Sequence, residues 1–273
     1  GQNYRGICSL REGIVHSLNI VTVKVLTQVT PQKAYDYLLN FGFTTLVDRE
    51  VTKDGQVMSD IHQALALGGI THGVTNMETT AAFATIANSG VYNRPTLYSK
   101  VTDADGNIIL DYSMNESHRV LQETSAFLLT SAMKDVVTRG TGNMVSFPDM
   151  SIAGKTGTTS SYNDIWFSGY TPYYTATVWV GFDNNVDLAN NQHDIAKILW
   201  KGCMSRIHSN LPNASFDMPN GITTCAVCSD SGKLPREGLF DEHIKTKYFI
   251  EGTEPVEYCE IHYKGIACGY DGK

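Results

Sequence analysis

The stretch Gly154-Lys155-Thr156-Gly157-Thr158-Thr159 lies among three short segments whose composition is typical of β-strands. Ile152-Ala153 before it, and the runs 165–170 and 174–182 after it, are rich in β-branched and aromatic residues. Gly, Pro and Asn separate these runs, as they do between strands of a sheet. Three strands in such close succession indicate an antiparallel meander.

Helical patterns surround this predicted meander. Thr30 with Pro31 has the form of a helix start, and Thr75 with Glu78 has the spacing of a capping box. Helices first, then an antiparallel sheet, then another helix, predict an α+β domain in which the sheet packs against helices. The predicted helical segments are 10–16, 20–29, 77–87, 121–137 and 193–208, and 31–41 also has an apolar face.

Length and composition limit the possible functions. The 273 residues carry a formal net charge of −7 without a basic run, which argues against nucleic acid as a partner. Hydrophobic residues make up 42% of the chain, enough for a globular core. We expect one domain over residues 1–211 and a polar, cysteine-containing tail over 212–273.

Lys155, Thr156, Gly157 and Thr158 are the strongest candidates for chemistry. A lysine ammonium can hold a substrate carboxylate or polarise a hydroxyl, and threonine hydroxyls can donate to the same carboxylate. Gly157 leaves room for a backbone that approaches along the strand edge.

Ser17-Leu18-Asn19 lies between two predicted helices, far upstream of Lys155. A serine hydroxyl can relay a proton, and an asparagine amide can orient a substrate amide. The Ser-x-Asn pattern alone is too common to indicate a function. It becomes informative because it precedes the Lys-Thr-Gly segment in the chain. Sequences of this order, Ser-x-Asn and then Lys-Thr-Gly, follow a Ser-x-x-Lys nucleophile segment in penicillin-binding proteins and serine β-lactamases.

The chain resembles the class A penicillin-binding proteins over nearly its whole length. The resemblance implies that Ser17 and Asn19 form the second motif of the transpeptidase site and that Lys155, Thr156, Gly157 and Thr158 form the third. It further implies that the two threonine hydroxyls bind the substrate carboxylate and that the Thr158 N–H completes an oxyanion hole. The segments that carry the resemblance, besides these motifs, are 4–6, 10–12, 66–69, 73–75, 87–88, 133–137, 140–142, 163–164, 166–167, 169–172 and 249–255.

One element of that family's site has no counterpart before Ser17. The nucleophile motif Ser-x-x-Lys is absent from the 16 residues that precede Ser17. Ser131-Ala132-Met133-Lys134 has the right letters but comes after the second motif, so we interpret it as an ordinary helix surface. We therefore expect the N-terminal part of the domain to lie outside this chain, and residues 1–273 alone to be inactive.

The resemblance implies a D,D-transpeptidase that cross-links peptidoglycan stem peptides, with a D-Ala-D-Ala donor and an amine acceptor. It implies inhibition by β-lactams, no cofactor, and contact with the cell-wall synthesis machinery. The expected location is the bacterial cell envelope, on the extracytoplasmic side, with a membrane anchor only in a missing N-terminal segment. The alternatives are a non-catalytic penicillin-recognising sensor and a β-lactamase or D,D-carboxypeptidase.

The tail contains Cys225-x-x-Cys228 and Cys259-x-x-His262. This spacing is similar to that of zinc ribbons. A Cys228–Cys259 disulfide is the alternative for a protein outside the cytoplasm, and free thiols are a third possibility. Spacing alone leaves all three open.

Overall fold

A computed structural model describes residue 6 and residues 8–112, 116–236 and 243–262 of the chain. Most of the family-like segment 4–6 lies outside this range. Two compact units divide between Asp217 and Met218. The tail predicted from sequence begins slightly earlier, at residue 212. The first unit is an α+β structure, and the second is built around a hairpin.

The helices begin where the sequence signals place them. The Thr30 hydroxyl accepts a hydrogen bond from the Lys33 N–H at 3.4 Å, and Pro31 occupies the first helical position. Thr75 and Glu78 form the predicted capping box. None of the described helices is long and apolar enough to cross a membrane. The α-helices are α1 Leu10–Val15, α2 Asn19–Val29, α3 Pro31–Asn40, α4 Asn76–Ala87, α5 Glu123–Arg139 and α6 Ile195–Ile207.

The strands pair antiparallel throughout the described residues. The predicted meander is confirmed as the three-stranded sheet β7-β8-β9, and β4 and β5 form a separate hairpin around residue 105. The other pairs are β1–β2, β3–β6 and β10–β11. The strands are β1 Glu50–Val51, β2 Val57–Met58, β3 Val91–Asn93, β4 Lys100–Thr102, β5 Ile108–Asp111, β6 Ser117–Arg119, β7 Ala153–Thr158, β8 Asp164–Tyr170, β9 Thr175–Gly181, β10 Ile222–Cys228 and β11 Ile244–Ile250.

Helices cover both faces of the central sheet. On one face, Phe167 pairs with Val178 in register and packs with the fully buried Trp200 of α6. On the other face, Ala153 and Tyr170 pack against side chains from α4 and α5. Alternate residues of a strand point to opposite faces, so both halves of the core come from the same three strands. The predicted α+β fold is confirmed.

A close contact joins the end of α1 to the end of α5. A Cβ atom added at Gly140 would lie 2.4 Å from the Val15 carbonyl oxygen, so only glycine fits there. The backbone of Gly140 is extended, so the requirement is one of space rather than of conformation. Two ion pairs between the same helices reinforce the contact. The Arg11 guanidinium lies 3.1 Å from the Asp135 carboxylate, and the Arg139 guanidinium lies 2.6 Å from the Glu12 carboxylate.

This contact predicts the effect of filling the gap. Gly140→Ala should lower the free energy of unfolding by about 1–3 kcal/mol, because the methyl group displaces the Val15 carbonyl. Gly202→Ala is the matched control, since Gly202 lies in α6 with open space at its Cβ position. It should leave stability unchanged or raise it by up to about 1 kcal/mol. Urea unfolding measures both, and equal effects would refute the steric explanation.

Candidate active site

Ser17 sits in a strained turn that follows α1. The Ser17 N–H donates to the Ile14 carbonyl at 3.2 Å, and the Leu18 N–H donates to the Gly13 carbonyl at 2.9 Å. These two bonds form a Schellman motif, in which the position of Ser17 is left-handed and usually held by glycine. Ser17 has a φ of 53°, an unfavourable angle for a residue with a side chain. The turn leaves the Ser17 side chain exposed at the start of α2.

Lys155 reaches Ser17 from the edge strand of the sheet. Its Nζ donates to the Ser17 Oγ at 2.9 Å and to the Thr156 carbonyl at 3.0 Å. Burial, which disfavours the charged amine, lowers the pKa of Lys155 to about 8. The structure therefore brings together the serine and the lysine of the two predicted motifs, with an amine whose protonation can change near neutral pH.

The remaining predicted residues lie around this pair in different environments. Asn19 is exposed as the first residue of α2, and Thr158 is exposed at the end of β7. A Cβ at Gly157 would lie 3.1 Å from the Trp166 Cβ, so a side chain there would crowd β8. The Thr156 hydroxyl is hydrogen-bonded to the Thr141 hydroxyl at 2.9 Å. The Thr158 hydroxyl is thus more accessible to a ligand than that of Thr156.

Thr141 is a residue of the site that the sequence argument missed. Its N–H faces the Val15 carbonyl at 3.3 Å, and its hydroxyl bonds Thr156. It therefore connects the turn that carries Ser17 to the strand that carries Lys155. The family-like segment 140–142 contains it, but nothing local in the sequence indicates which strand it contacts.

Ser131 is not the surface residue that the sequence predicted. It is buried in α5, and its hydroxyl accepts a hydrogen bond from the Arg11 guanidinium at 2.9 Å. Arg11 also donates to the Ser131 carbonyl at 2.9 Å. Ser131 therefore has a structural role, because its hydrogen bonds with Arg11 hold α1 against α5. The interpretation of Ser131 as part of an ordinary helix surface is wrong.

The second unit brings together three of the four predicted zinc ligands. Both thiols, of Cys228 and Cys259, are buried and lie beside the Nδ1 atom of His262. Cys225 lies outside this cluster. Cys225 and Cys228 are three positions apart in one continuous strand, β10, so their side chains point to opposite faces. The expectation of a four-residue cluster is therefore wrong for Cys225.

Hydrogen bonds surround the Cys259 sulfur. Burial alone would raise the pKa of the Cys259 thiol. Bonds from the Ser231 side chain, from the His262 N–H and ring, and from the Ile261 N–H outweigh burial and lower that pKa to about 6. All the cysteines that the structure describes are free thiols, so the proposed Cys228–Cys259 disulfide is not formed in this structure.

Each of the two compact units matches a known protein family. The penicillin-binding protein transpeptidase domain family matches residues 1–201, and the family of penicillin-binding protein 1A C-terminal domains matches residues 218–264. This chain belongs to the penicillin-binding protein transpeptidase family. The family predicted from the motifs is thereby confirmed.

Relatives of this penicillin-binding protein transpeptidase chain include proteins of Clostridium and Bacillus species. Penicillin-binding protein 1A of Clostridium tetani is 32% identical over 95% of the chain and 33% of its own length. Penicillin-binding protein 1A/1B of Bacillus subtilis is 29% identical over 96% of the chain and 30% of its own length. The chain thus spans about a third of the length of the curated relatives that it matches.

Solved structures of penicillin-binding proteins share the fold. Penicillin-binding protein 1A of Haemophilus influenzae aligns with a TM-score of 0.77 at 23% identity, over 94% of this chain and 42% of its own. The PonA1 protein of Mycobacterium tuberculosis, in complex with penicillin V, aligns with a TM-score of 0.67 at 24% identity, over 80% of this chain and 61% of its own. At these identities the likeness establishes the fold alone.

The environment of Lys155 predicts its titration. In a ¹³C NMR titration of the lysine side chains, the Lys155 resonance should change near pH 8. Ser17→Ala should lower the pKa further, because it removes an acceptor that favours the charged amine. Lys155→Arg assigns the resonance by its loss. A Lys155 midpoint above pH 10, or a Ser17→Ala midpoint equal to that of the unaltered chain, would contradict this account.

Proposed function

We propose that this chain supplies one side of the active site of a peptidoglycan D,D-transpeptidase. The observation that carries the proposal is the 2.9 Å hydrogen bond between Lys155 Nζ and Ser17 Oγ, two residues 138 positions apart. Family membership supports the reaction class. Peptidoglycan stem peptides are then the substrates, and β-lactams are the inhibitors.

The chemistry needs a serine nucleophile from a Ser-x-x-Lys segment outside residues 1–273. Its oxygen attacks the carbonyl between the two D-alanines, and the terminal D-alanine leaves as an amine. An acceptor amine then attacks the acyl-enzyme and restores the serine hydroxyl while it forms the cross-link. Both steps move a proton between oxygen and nitrogen. Lys155 and Ser17 suit this transfer, because an amine of pKa about 8 both gives and takes protons near neutral pH.

The same residues suit recognition of the substrate's terminal carboxylate. Lys155 is half-buried, and its described hydrogen bonds are with neutral oxygens. A carboxylate bound beside it would stabilise the charged amine in this partly dry site. The exposed Thr158 hydroxyl, at the end of the same strand, can donate to that carboxylate. Asn19, exposed beside Ser17, can contact the amide of the donor peptide.

Two other functions use the same motifs. A β-lactamase or D,D-carboxypeptidase would transfer the acyl group to water, and a sensor would bind penicillin without turnover. The match of residues 218–264 to the C-terminal domain of penicillin-binding protein 1A favours the transpeptidase. The similarity to penicillin-binding proteins 1A supports a location in the bacterial cell envelope. We propose the extracytoplasmic side, together with the cell-wall synthesis machinery.

The proposal predicts that residues 1–273 alone form no acyl-enzyme. Incubation with labelled penicillin followed by intact-mass spectrometry should give no stoichiometric adduct, because Ser17 and the buried Ser131 are not nucleophiles here. The longer protein that includes the Ser-x-x-Lys segment is the positive control. A stoichiometric adduct mapped to Ser131 would overturn the assignment.

Lys155 should be essential for acylation in that longer protein. Lys155→Ala should slow acylation by on the order of 10²–10³, the usual loss when one well-placed stabilising group is removed. Lys134→Ala is the matched control, because Lys134 belongs to the Ser-x-x-Lys pattern of α5, to which we assign no catalytic role. Stopped-flow measurement with a chromogenic β-lactam compares the two. Unchanged acylation in Lys155→Ala would rule out the proposed site.

A further inference from the structure

The second unit gathers two sulfurs and one ring nitrogen around a common point. Cys228 Sγ lies 3.4 Å from His262 Nδ1, and Cys259 Sγ lies 3.6 Å from the same atom. The three atoms lie within 4.8 Å of one another. A hydrogen bond to one thiol would not require the nitrogen to lie almost equally close to both. The arrangement instead suits a ligand shared by all three atoms.

The spacing agrees with a tetrahedral metal ion. Zinc binds thiolate sulfur at about 2.3 Å and imidazole nitrogen at about 2.0–2.1 Å. Tetrahedral angles then place sulfur and nitrogen about 3.5 Å apart. The observed distances of 3.4 and 3.6 Å lie on either side of this value. Two thiolates and an imidazole are also the donors that zinc prefers.

The backbone holds both cysteines in place. Cys228 is the last residue of β10, and a tight turn follows it. Two hydrogen bonds close this turn: the Gly232 N–H donates to the Cys228 carbonyl, and the Cys228 N–H donates to the Lys233 carbonyl. The chain then returns, so that the Cys259 N–H donates to the Leu234 carbonyl at 2.8 Å. These main-chain bonds fix the two thiols without a disulfide.

Contacts outside the cluster orient the histidine for the same task. His262 turns Nδ1 to the sulfurs, while its Nε2 lies 3.3 Å from the Asp230 carboxylate. Histidines that bind metals usually donate the other ring N–H to a carboxylate or a carbonyl in this way, which fixes the tautomer. The Ile261 and His262 N–H groups donate to the Cys259 sulfur, and such donors stabilise a thiolate.

We infer that Cys228, Cys259 and His262 bind one zinc ion per chain. Two Zn–S bonds and one Zn–N bond form, and the two thiols release their protons to solvent. Zinc is tetrahedral, so a fourth position remains, which water can fill. Asp230 acts from outside by holding His262. Nothing in the transpeptidase reaction requires this site, so the inference stands independently of the proposed function.

Metal analysis of the 273-residue chain tests the site. Chain dialysed against zinc and then against metal-free buffer should retain about one zinc per chain. Cys228→Ser, Cys259→Ser and His262→Ala should each lose most of that zinc. Cys225→Ser is the matched control, since it changes the same residue type in the same strand and should retain the metal.

A second measurement keeps the test valid if a variant fails to fold. The unaltered chain is stripped with a chelator and refilled with Co²⁺, which should produce the intense thiolate-to-cobalt absorption of a site with two sulfurs. X-ray absorption of the zinc form should give two sulfur neighbours. Metal-free protein with a mapped Cys228–Cys259 disulfide would overturn the inference, and so would loss of zinc from Cys225→Ser.

Discussion

The approach of the Val15 carbonyl to Gly140 and Thr141 is the contact on which the candidate site depends. Helix α1 has only six residues, too few to be stable without tertiary packing. Its direction is therefore set by the end of α5, where Gly140 lets the backbone come close and Thr141 points its N–H at the carbonyl. Ser17 follows Val15 by two residues, so its position is fixed by the same contact.

Thr141 carries this constraint to the sheet. Its hydroxyl is hydrogen-bonded to the hydroxyl of Thr156, which is next to Lys155 on β7. The serine and the lysine thus meet because one short segment at the end of α5 contacts both of their elements. The ion pairs Arg11–Asp135 and Arg139–Glu12 are partly exposed, so each adds little to the free energy of unfolding. As a network they fix the rotation of α1 against α5.

Local signals in the sequence predicted the helices and strands, but they could not predict contacts between residues far apart in the chain. The caps at Thr30 and Thr75, and the meander after Gly154, depend on neighbours within a few residues, so they could be recognised. The burial of Ser131 depends on Arg11, which is 120 positions away. No periodicity indicates such a partner. The same holds for Thr141 and Thr156, whose contact follows only from the packing of α5 along β7.

The cysteine pattern failed for a different reason. Cys-x-x-Cys brings two thiols together when the chain turns between them, as in a zinc knuckle. Residues 222–228, Ile-Thr-Thr-Cys-Ala-Val-Cys, are rich in β-branched side chains, and they form a continuous strand. The period of two then separates Cys225 from Cys228. Cys259-x-x-His262 lies beyond the last strand, where the chain turns and the two side chains can converge.

Two unfavourable features meet at the Ser17–Lys155 hydrogen bond, and this argues that the bond serves function. A left-handed serine costs about 1–2 kcal/mol relative to an ordinary conformation, and glycine would relieve most of it. A half-buried lysine loses hydration, and the fall of its pKa to about 8 records that cost. Neither residue stabilises the fold by being there, since glycine suits the turn better and an uncharged side chain suits the strand better. Sites where several local preferences are violated together are the ones that natural proteins retain for chemistry.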